Sequence, residues 1–280
     1  MIATADIGPR IVHLSRGKGD NLLKLFEEQI GKTGGNEWRL YGGHRIWYAP
    51  EEPVLSYVPD NEAAEVEVLS DDEICLTVRL TPEVEKSITM RVAISGLGFE
   101  LDNQIRNLSD QTFRTASWGI TTFAPGGVGY MPISKASSPS QALRANFQMN
   151  LWDYTNLGDS AFVFRSEWIE CHQMRANSKQ KIGTYAQNPW LAYRLGDSLV
   201  VKTFNFGKKE ITACDFPDQG SNVELYFDAY MLELEGLSPW NDLKPGESVL
   251  HTEKLQVMAI ESDWSHEKVI ELVINSITSD

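Results

Sequence analysis

Apolar and polar residues alternate with period two along much of this chain. In EICLTVRL the apolar set is Ile74, Leu76, Val78 and Leu80. In SITMRV it is Ile88, Met90 and Val92, and in GFELDNQIRN it is Phe99, Leu101 and Ile105. Successive strand residues point to opposite faces, so this alternation is what half-buried antiparallel strands require. TPEVEK and SGLG between the runs supply the Pro and Gly of turns. The pattern continues in QTFRTASWGITTFA, SAFVFRSEWIEC, NPWLAYRLGDSLVVKTFNF, SNVELYFDAYMLELE and ESVLHTEKLQVMAI. Helical spacing is confined to two places. DNLLKLFEEQIGK offers Asp20 as a cap and Leu22, Leu25, Phe26 and Ile30 as a stripe. SDWSHEKVIELVINSI offers Ser262 or Asp263 as a cap and Val269, Ile270, Val273, Ile274 and Ile277 as a stripe that needs cover. The prediction is an all-β antiparallel sandwich, a single domain over residues 1–280, with few helices and one C-terminal helix docked on the sheets. No low-complexity linker and no internal repeat interrupts it.

Charge then narrows the partners. The 280 residues carry 25 Lys and Arg against 39 Asp and Glu, a net charge of −14. Counterion release favours basic proteins on nucleic acid, and anionic membranes repel acidic ones, so neither is expected as a partner. A neutral or cationic small molecule is the easier ligand. No stretch approaches the ~18 apolar residues of a membrane span. The opening MIATADIGPRIVHLS has neither a basic start nor an apolar core, which points to the cytoplasm. Cys75, Cys171 and Cys214 are scattered, so neither a disulfide framework nor a zinc site is expected from them. APGGVGY lacks the Lys-Ser/Thr of a phosphate loop and reads as a loop at the rim of the sandwich. Asp153/Asp159 and Asp215/Asp218 read as turn residues rather than calcium ligands. No cofactor and no metal site is expected.

Candidate chemistry concentrates in two stretches. RLYGGHRIWYAPE, residues 39–51, packs a glycine pair, His44, Arg45, two rings and Glu51 into one strand-length segment. A core strand needs none of these, whereas a pocket for a polar, ring-shaped ligand uses all of them. Arg45 offers a fork of donors to hydroxyls or a carboxylate, and its ordinary alternative is a structural ion pair. Period two sends only one of His44 and Arg45 to a given face, and Arg45 is the stronger candidate. Gly42 and Gly43 read as sites of close backbone approach. Trp47 and Trp118 are candidate stacking surfaces for a sugar face, with packing in a wide core as the competing role. In LELEGLSP, Glu233 and Glu235 share a face. Two neighbouring carboxylates raise one another's pKa, as a general base requires; otherwise they are two wet surface glutamates.

DIGPRIVHLS, YGGHRIW, IRNLSDQTFR and LKPGESVLHTEKLQV follow one another in an order that resembles the galactose mutarotase (aldose 1-epimerase) superfamily. The likeness is nearest to a bacterial branch that also carries GGHR-W-aPE and ELY…LELE-L-P segments. It implies an antiparallel β-supersandwich, a small-molecule carbohydrate partner, and proton shuttling at a sugar hemiacetal. By that resemblance Glu235 takes the place of the catalytic base, with Glu233 beside it. Arg45 takes the place of a substrate-binding arginine, and His44 stands where the family has Asn. The family's proton-donating histidine maps onto Trp118 or Gly119 in TASWGITTF, and no histidine lies between His44 and His172. His172 is the candidate substitute for that acid. The resemblance therefore leaves open a sugar epimerase or a carbohydrate-binding protein without the acid.

Overall fold

The computed structural model describes residues 1–93, 98–135, 138–206 and 211–278. In chain order the strands are β1 (Ile2–Thr4), β2 (Arg10–His13), β3 (Gly43–Ala49), β4 (Glu65–Ser70), β5 (Glu73–Thr81), β6 (Val84–Val92), β7 (Phe99–Asn107), β8 (Phe113–Phe123), β9 (Val128–Pro132) and β10 (Asn150–Leu151). They continue as β11 (Phe162–Phe164), β12 (Trp168–His172), β13 (Gln180–Thr184), β14 (Trp190–Leu195), β15 (Ser198–Asn205), β16 (Val223–Phe227), β17 (Leu232–Leu237), β18 (Asn241–Leu243) and β19 (Ser248–Ala259), and a helix, α1 (His266–Thr278), follows. All pairings are antiparallel. One sheet runs β1-β2-β3-β8-β17-β16-β13-β10, with β18 also on β8. The other runs β11-β12-β9-β14-β15-β19-β7-β6-β5-β4.

The inward set of each strand fills the space between the sheets. Ile46, Phe123, Leu232 and Leu234 of the first sheet meet Ile88, Leu101, Val200 and Leu255 of the second. At about 25 cal/mol per Å² of apolar surface removed from water, this layer is the main source of stability. A polar knot sits inside it. Lys202 Nζ reaches the Gly119 and Leu234 carbonyls at 3.0 and 3.1 Å and Glu253 at 3.0 Å. Glu253 also lies 3.2 Å from His251 and 3.7 Å from His44. Burial would raise the Glu253 carboxyl, but Lys202 and the histidines hold it ionised, at about 2. Removing either Lys202 or Glu253 alone leaves an uncompensated charge in a dry layer.

The helix expected over residues 20–32 is absent. Leu22 and Leu23 are both buried, which successive residues achieve in extended chain, and Leu23 bridges Phe123 while Leu25 bridges Gly42. Lys24 N donates to Thr122 O at 3.0 Å and Ala124 N to Leu22 O at 2.9 Å. Only Glu27–Gln29 turns, as a short 3-10 segment. Tertiary pairing overrides a marginal helical stripe here. APGGVGY is a loop only over residues 124–127, between β8 and β9; Val128–Tyr130 already belongs to β9, an interior strand of the second sheet. The turn expected between β6 and β7 lies outside the described residues. At the C-terminus α1 starts later than the expected caps, and Ser265 Oγ accepts from Lys268 N at 3.3 Å. Val269, Ile270 and Val273 pack on Trp168, Trp190, Leu199 and Val201, covering the outer face of the second sheet. No helix among the described residues is long and apolar enough to cross a membrane.

Candidate functional site

The outer face of the first sheet carries a different set of side chains. Strand register builds it in rows. Trp47, Trp118 and Leu237 stand side by side on β3, β8 and β17. In the next row stand Arg45, Ile120, Glu235 and Glu224, and beyond it Thr122, Glu233, Tyr226 and Lys181. These rows floor a cavity of about 340 Å³, within the roughly 300–1,000 Å³ of small-molecule sites. Connecting segments supply its walls: Trp38, Glu51, Tyr57, Trp152, Tyr154 and Lys179.

The rings lock one another in tilted and edge-on contacts. Trp47 meets Trp118 at 5.6 Å between centroids with a 79° interplanar angle, and Tyr57 meets Trp47 at 5.3 Å and Trp38 at 5.1 Å. Edge-to-face pairs of this kind contribute on the order of 1 kcal/mol beyond area burial. Arg45 lies 4.9 Å over Trp47. Its Nη1 donates to Glu233 Oε1 at 3.0 Å and to Thr122 Oγ1 at 3.0 Å, and Thr122 Oγ1 donates to the same carboxylate oxygen at 2.8 Å. Its Nε has no hydrogen-bond partner although it is buried.

The second ion group centres on Lys181. Its Nζ lies 2.8 Å from Glu235 Oε2 and 2.8 Å from Glu224 Oε2, and 4.5 Å over each of Trp118 and Trp152. Burial alone would lower the ammonium's pKa, but the two carboxylates more than offset it and hold Lys181 charged. Burial, reinforced by Glu233, pushes the Glu235 carboxyl above its ordinary value against the pull of Lys181. Burial raises Glu224 further, with Asp218 and Glu235 adding to it. At the rim, burial and a short hydrogen bond to Glu51 push the Tyr57 hydroxyl up to about 12.

No protein-family model matches the sequence, and no curated protein matches it. Solved structures do. The Slr1438 protein from Synechocystis sp. PCC 6803 matches with a TM-score of 0.52 at 12% identity, over 86% of this chain and 86% of that one. A TPR-domain containing protein from Parabacteroides distasonis ATCC 8503 matches with a TM-score of 0.60 at 11% identity, over 91% of this chain and 44% of that one. A galactose mutarotase-like protein from Lactobacillus casei ATCC 334 matches over 78% of this chain and 86% of that one, at 10% identity and a TM-score of 0.49. The first two, with TM-scores above 0.5, show that the chain shares their fold. At these identities the likeness speaks of fold alone.

On this sandwich the residues singled out in the sequence separate into two groups. Arg45, Trp47, Glu51, Trp118, Glu233 and Glu235 all line the one cavity. His44 and His172 do not. His44 points inward from β3, where Nδ1 meets Thr121 Oγ1 and Nε2 meets Asn103 Oδ1, each at 2.9 Å. Burial lowers its pKa to about 4, so it is a neutral core imidazole. His172 lies on β12, on the outer face of the second sheet, and its Nε2 meets Glu170 at 2.9 Å. It cannot supply an acid to the cavity. The glycine pair explains itself: Gly42 and Gly43 have φ of 89° and 76°, and a Cβ on either would stand 2.0 or 2.1 Å from the carbonyl oxygen of Lys24 or Ile11. Lys181, Glu224 and Tyr154 went unnoticed in the sequence. The strand QKIGT alternates too weakly to reveal its facing, and a lysine there reads as a solvent residue. The period-two partners of Glu224 in VELYF held the available signal.

Proposed function

We propose that the cavity binds a single ring of a small carbohydrate, a neutral sugar or a sugar acid, and exchanges a proton at its anomeric centre as an aldose 1-epimerase does. The observation that carries this is the floor itself. A locked pair of indoles lies between two ion groups, Arg45–Glu233 and Lys181–Glu235, which offers an apolar face to sugar C–H groups and paired donors and acceptors to its hydroxyls. Glu235 is the base: its raised pKa moves it towards working pH, where proton transfer is most effective. Arg45 and the Lys181 ammonium orient the hydroxyls, and Trp118 carries the ring. The ordered segments DIGPRIVHLS, YGGHRIW, IRNLSDQTFR and LKPGESVLHTEKLQV, which resemble the galactose mutarotase superfamily, support this reading.

One observation favours a second reading, carbohydrate binding without turnover. Opening a hemiacetal needs a proton at the ring oxygen, and no histidine is among the residues that line the cavity. Among its protonated groups, Lys181, Tyr57, Tyr154 and Tyr226 have raised pKa values and are therefore weak acids.

Intrinsic tryptophan fluorescence, titrated with a panel of aldoses and uronic acids, tests binding. One or more members quench or shift the emission, and Trp118→Ala removes the response while circular dichroism stays that of a β protein. A panel that leaves the emission unchanged sinks both readings. Exchange spectroscopy on the anomers of the bound sugar then separates them: accelerated interconversion supports the epimerase, and none supports the binding protein.

A further inference from the structure

On the opposite side of the sandwich, the described residues bring together a second group of chemistry-bearing side chains. Glu170 and His172 stand two residues apart on β12, so both point away from the core, while Cys171 between them is buried in it. β12 pairs with β9, which puts Tyr130 directly across from Glu170. The chain returns to this spot through α1, whose first residue, His266, closes over the pair. His172 Nε2 lies 2.9 Å and His266 Nε2 3.8 Å from Glu170 Oε2, and the three ligand atoms all lie within 4.8 Å of one another.

We propose that Glu170, His172 and His266 bind one divalent transition-metal ion of the zinc type, which clips α1 onto the second sheet. Donors around a tetrahedral zinc ion with bonds of about 2.1 Å stand roughly 3.4 Å apart. The two separations from Glu170 bracket that value and the third lies within 4.8 Å, so seating an ion takes rotation of the side chains without movement of the strands. Two imidazole nitrogens and one carboxylate oxygen suit zinc, cobalt or nickel and are too rich in nitrogen for calcium or magnesium. The outer contacts that orient metal ligands are also present. The other Glu170 oxygen accepts from Arg165 Nε at 2.8 Å and Trp168 Nε1 at 3.2 Å, which leaves Oε2 aimed at the histidines. His266 Nδ1 lies 2.7 Å from Tyr130 Oη, and the tautomer that gives its proton to Tyr130 frees Nε2 for the ion. Glu170 and His172 are 1% and 8% exposed, whereas His266 is 29% exposed, so an ion and a fourth, water ligand enter from the helix side. The Arg165 guanidinium repels a cation and limits the affinity. This site is independent of the carbohydrate cavity.

The test titrates the whole chain, freed of metal with a chelator, with Co²⁺ and then Zn²⁺. The expected result is one equivalent of Co²⁺ per chain with the visible absorption of four-coordinate nitrogen and oxygen ligands. Zn²⁺ displaces it and raises the melting temperature. His172→Ala and His266→Ala each weaken binding by at least about 100-fold, and Tyr130→Phe, which removes only an outer contact, by about tenfold. Cys214→Ser, at the exposed thiol, changes nothing. His172→Gln keeps the side chain's bulk and polarity, so its loss of binding, with unchanged circular dichroism and sugar titration, excludes misfolding as the cause. The proposal is overturned if no equivalent binds, if binding survives in the His172→Ala, His266→Ala double variant, or if it follows Cys214 instead.

Discussion

Replacing Lys181 with Met is the sharpest probe of how the cavity is held together. Met keeps an unbranched stem between Trp118 and Trp152 but removes the ammonium that stands 2.8 Å from both Glu224 and Glu235. Two carboxylates in a buried setting are then left without a counter-charge. Breaking a buried pair from one side costs about 3–5 kcal/mol. At about 2.1 cal/mol/K of unfolding entropy per residue, a chain of 280 residues loses roughly 5–8 °C of melting temperature for that amount. The loss depends on pH in a defined direction. Both carboxyls already have folded-state pKa values above the unfolded ones. Between those values the folded state holds the extra protons, so stability rises as pH falls through the folded pKa and drops as pH rises. Without Lys181 the folded values climb further and the effect grows. The deficit of Lys181→Met against the parent is therefore largest at pH 8 and shrinks at pH 5, and adding Glu224→Gln recovers part of it. Differential scanning calorimetry across this range reads all three quantities. A drop below about 2 °C at pH 8, or a deficit that grows on acidification, would refute the assignment of Lys181 as the shared counter-charge.

Three further outcomes are expected. Glu235→Gln keeps the shape of the side chain and removes its proton affinity, so anomer interconversion falls by about 10²–10⁴ in exchange spectroscopy while the sugar still binds. Gly119→Ala sets a Cβ 2.3 Å from Glu253 Oε1, and because that carboxylate is fixed by Lys202, denaturant unfolding shows destabilisation of roughly 1–3 kcal/mol from overpacking. His44 stays neutral until about pH 4. Since the unfolded imidazole protonates near 6.5, this one group removes on the order of 3 kcal/mol of stability as pH falls between those values, and ¹⁵N chemical shifts of the ring follow its titration.

The sandwich was legible because its strands announce themselves twice, by alternation and by turns. β5, β6, β7, β8 and the β14–β15 and β16–β17 hairpins all fall where period two places them. The helical stripe at 20–32 misled because apolar residues at helical spacing also suit an extended strap along β3 and β8, which buries Leu22 and Leu23 and leaves Ile30 exposed, and only the tertiary pairing decides between them. Half of the cavity was legible for the same reason as the strands. Arg45, Trp47, Glu233 and Glu235 belong to runs whose facing can be counted, and Trp118 follows from β8. Lys181 was not, because its charge finds its partners only when β13 is brought beside β16 and β17, an arrangement absent from local sequence. His172 was misjudged by a related error: its residue type suited the missing acid, but β12 belongs to the other sheet.

The single ammonium of Lys202 has a bearing on any attempt to move this site elsewhere. Its carbonyl acceptors, Gly119 and Leu234, each sit one residue from cavity side chains: Trp118 and Ile120 on one strand, Glu233 and Glu235 on the next. The floor of the cavity is thus pinned from beneath at the two strands that carry its stacking surface and its carboxylates. Residues of the rim, such as Trp38, Tyr57 and Lys179, come from connecting segments and are not held by Lys202. A graft of the floor onto another β-sandwich has to bring Lys202 and Glu253 with it, although neither lines the cavity.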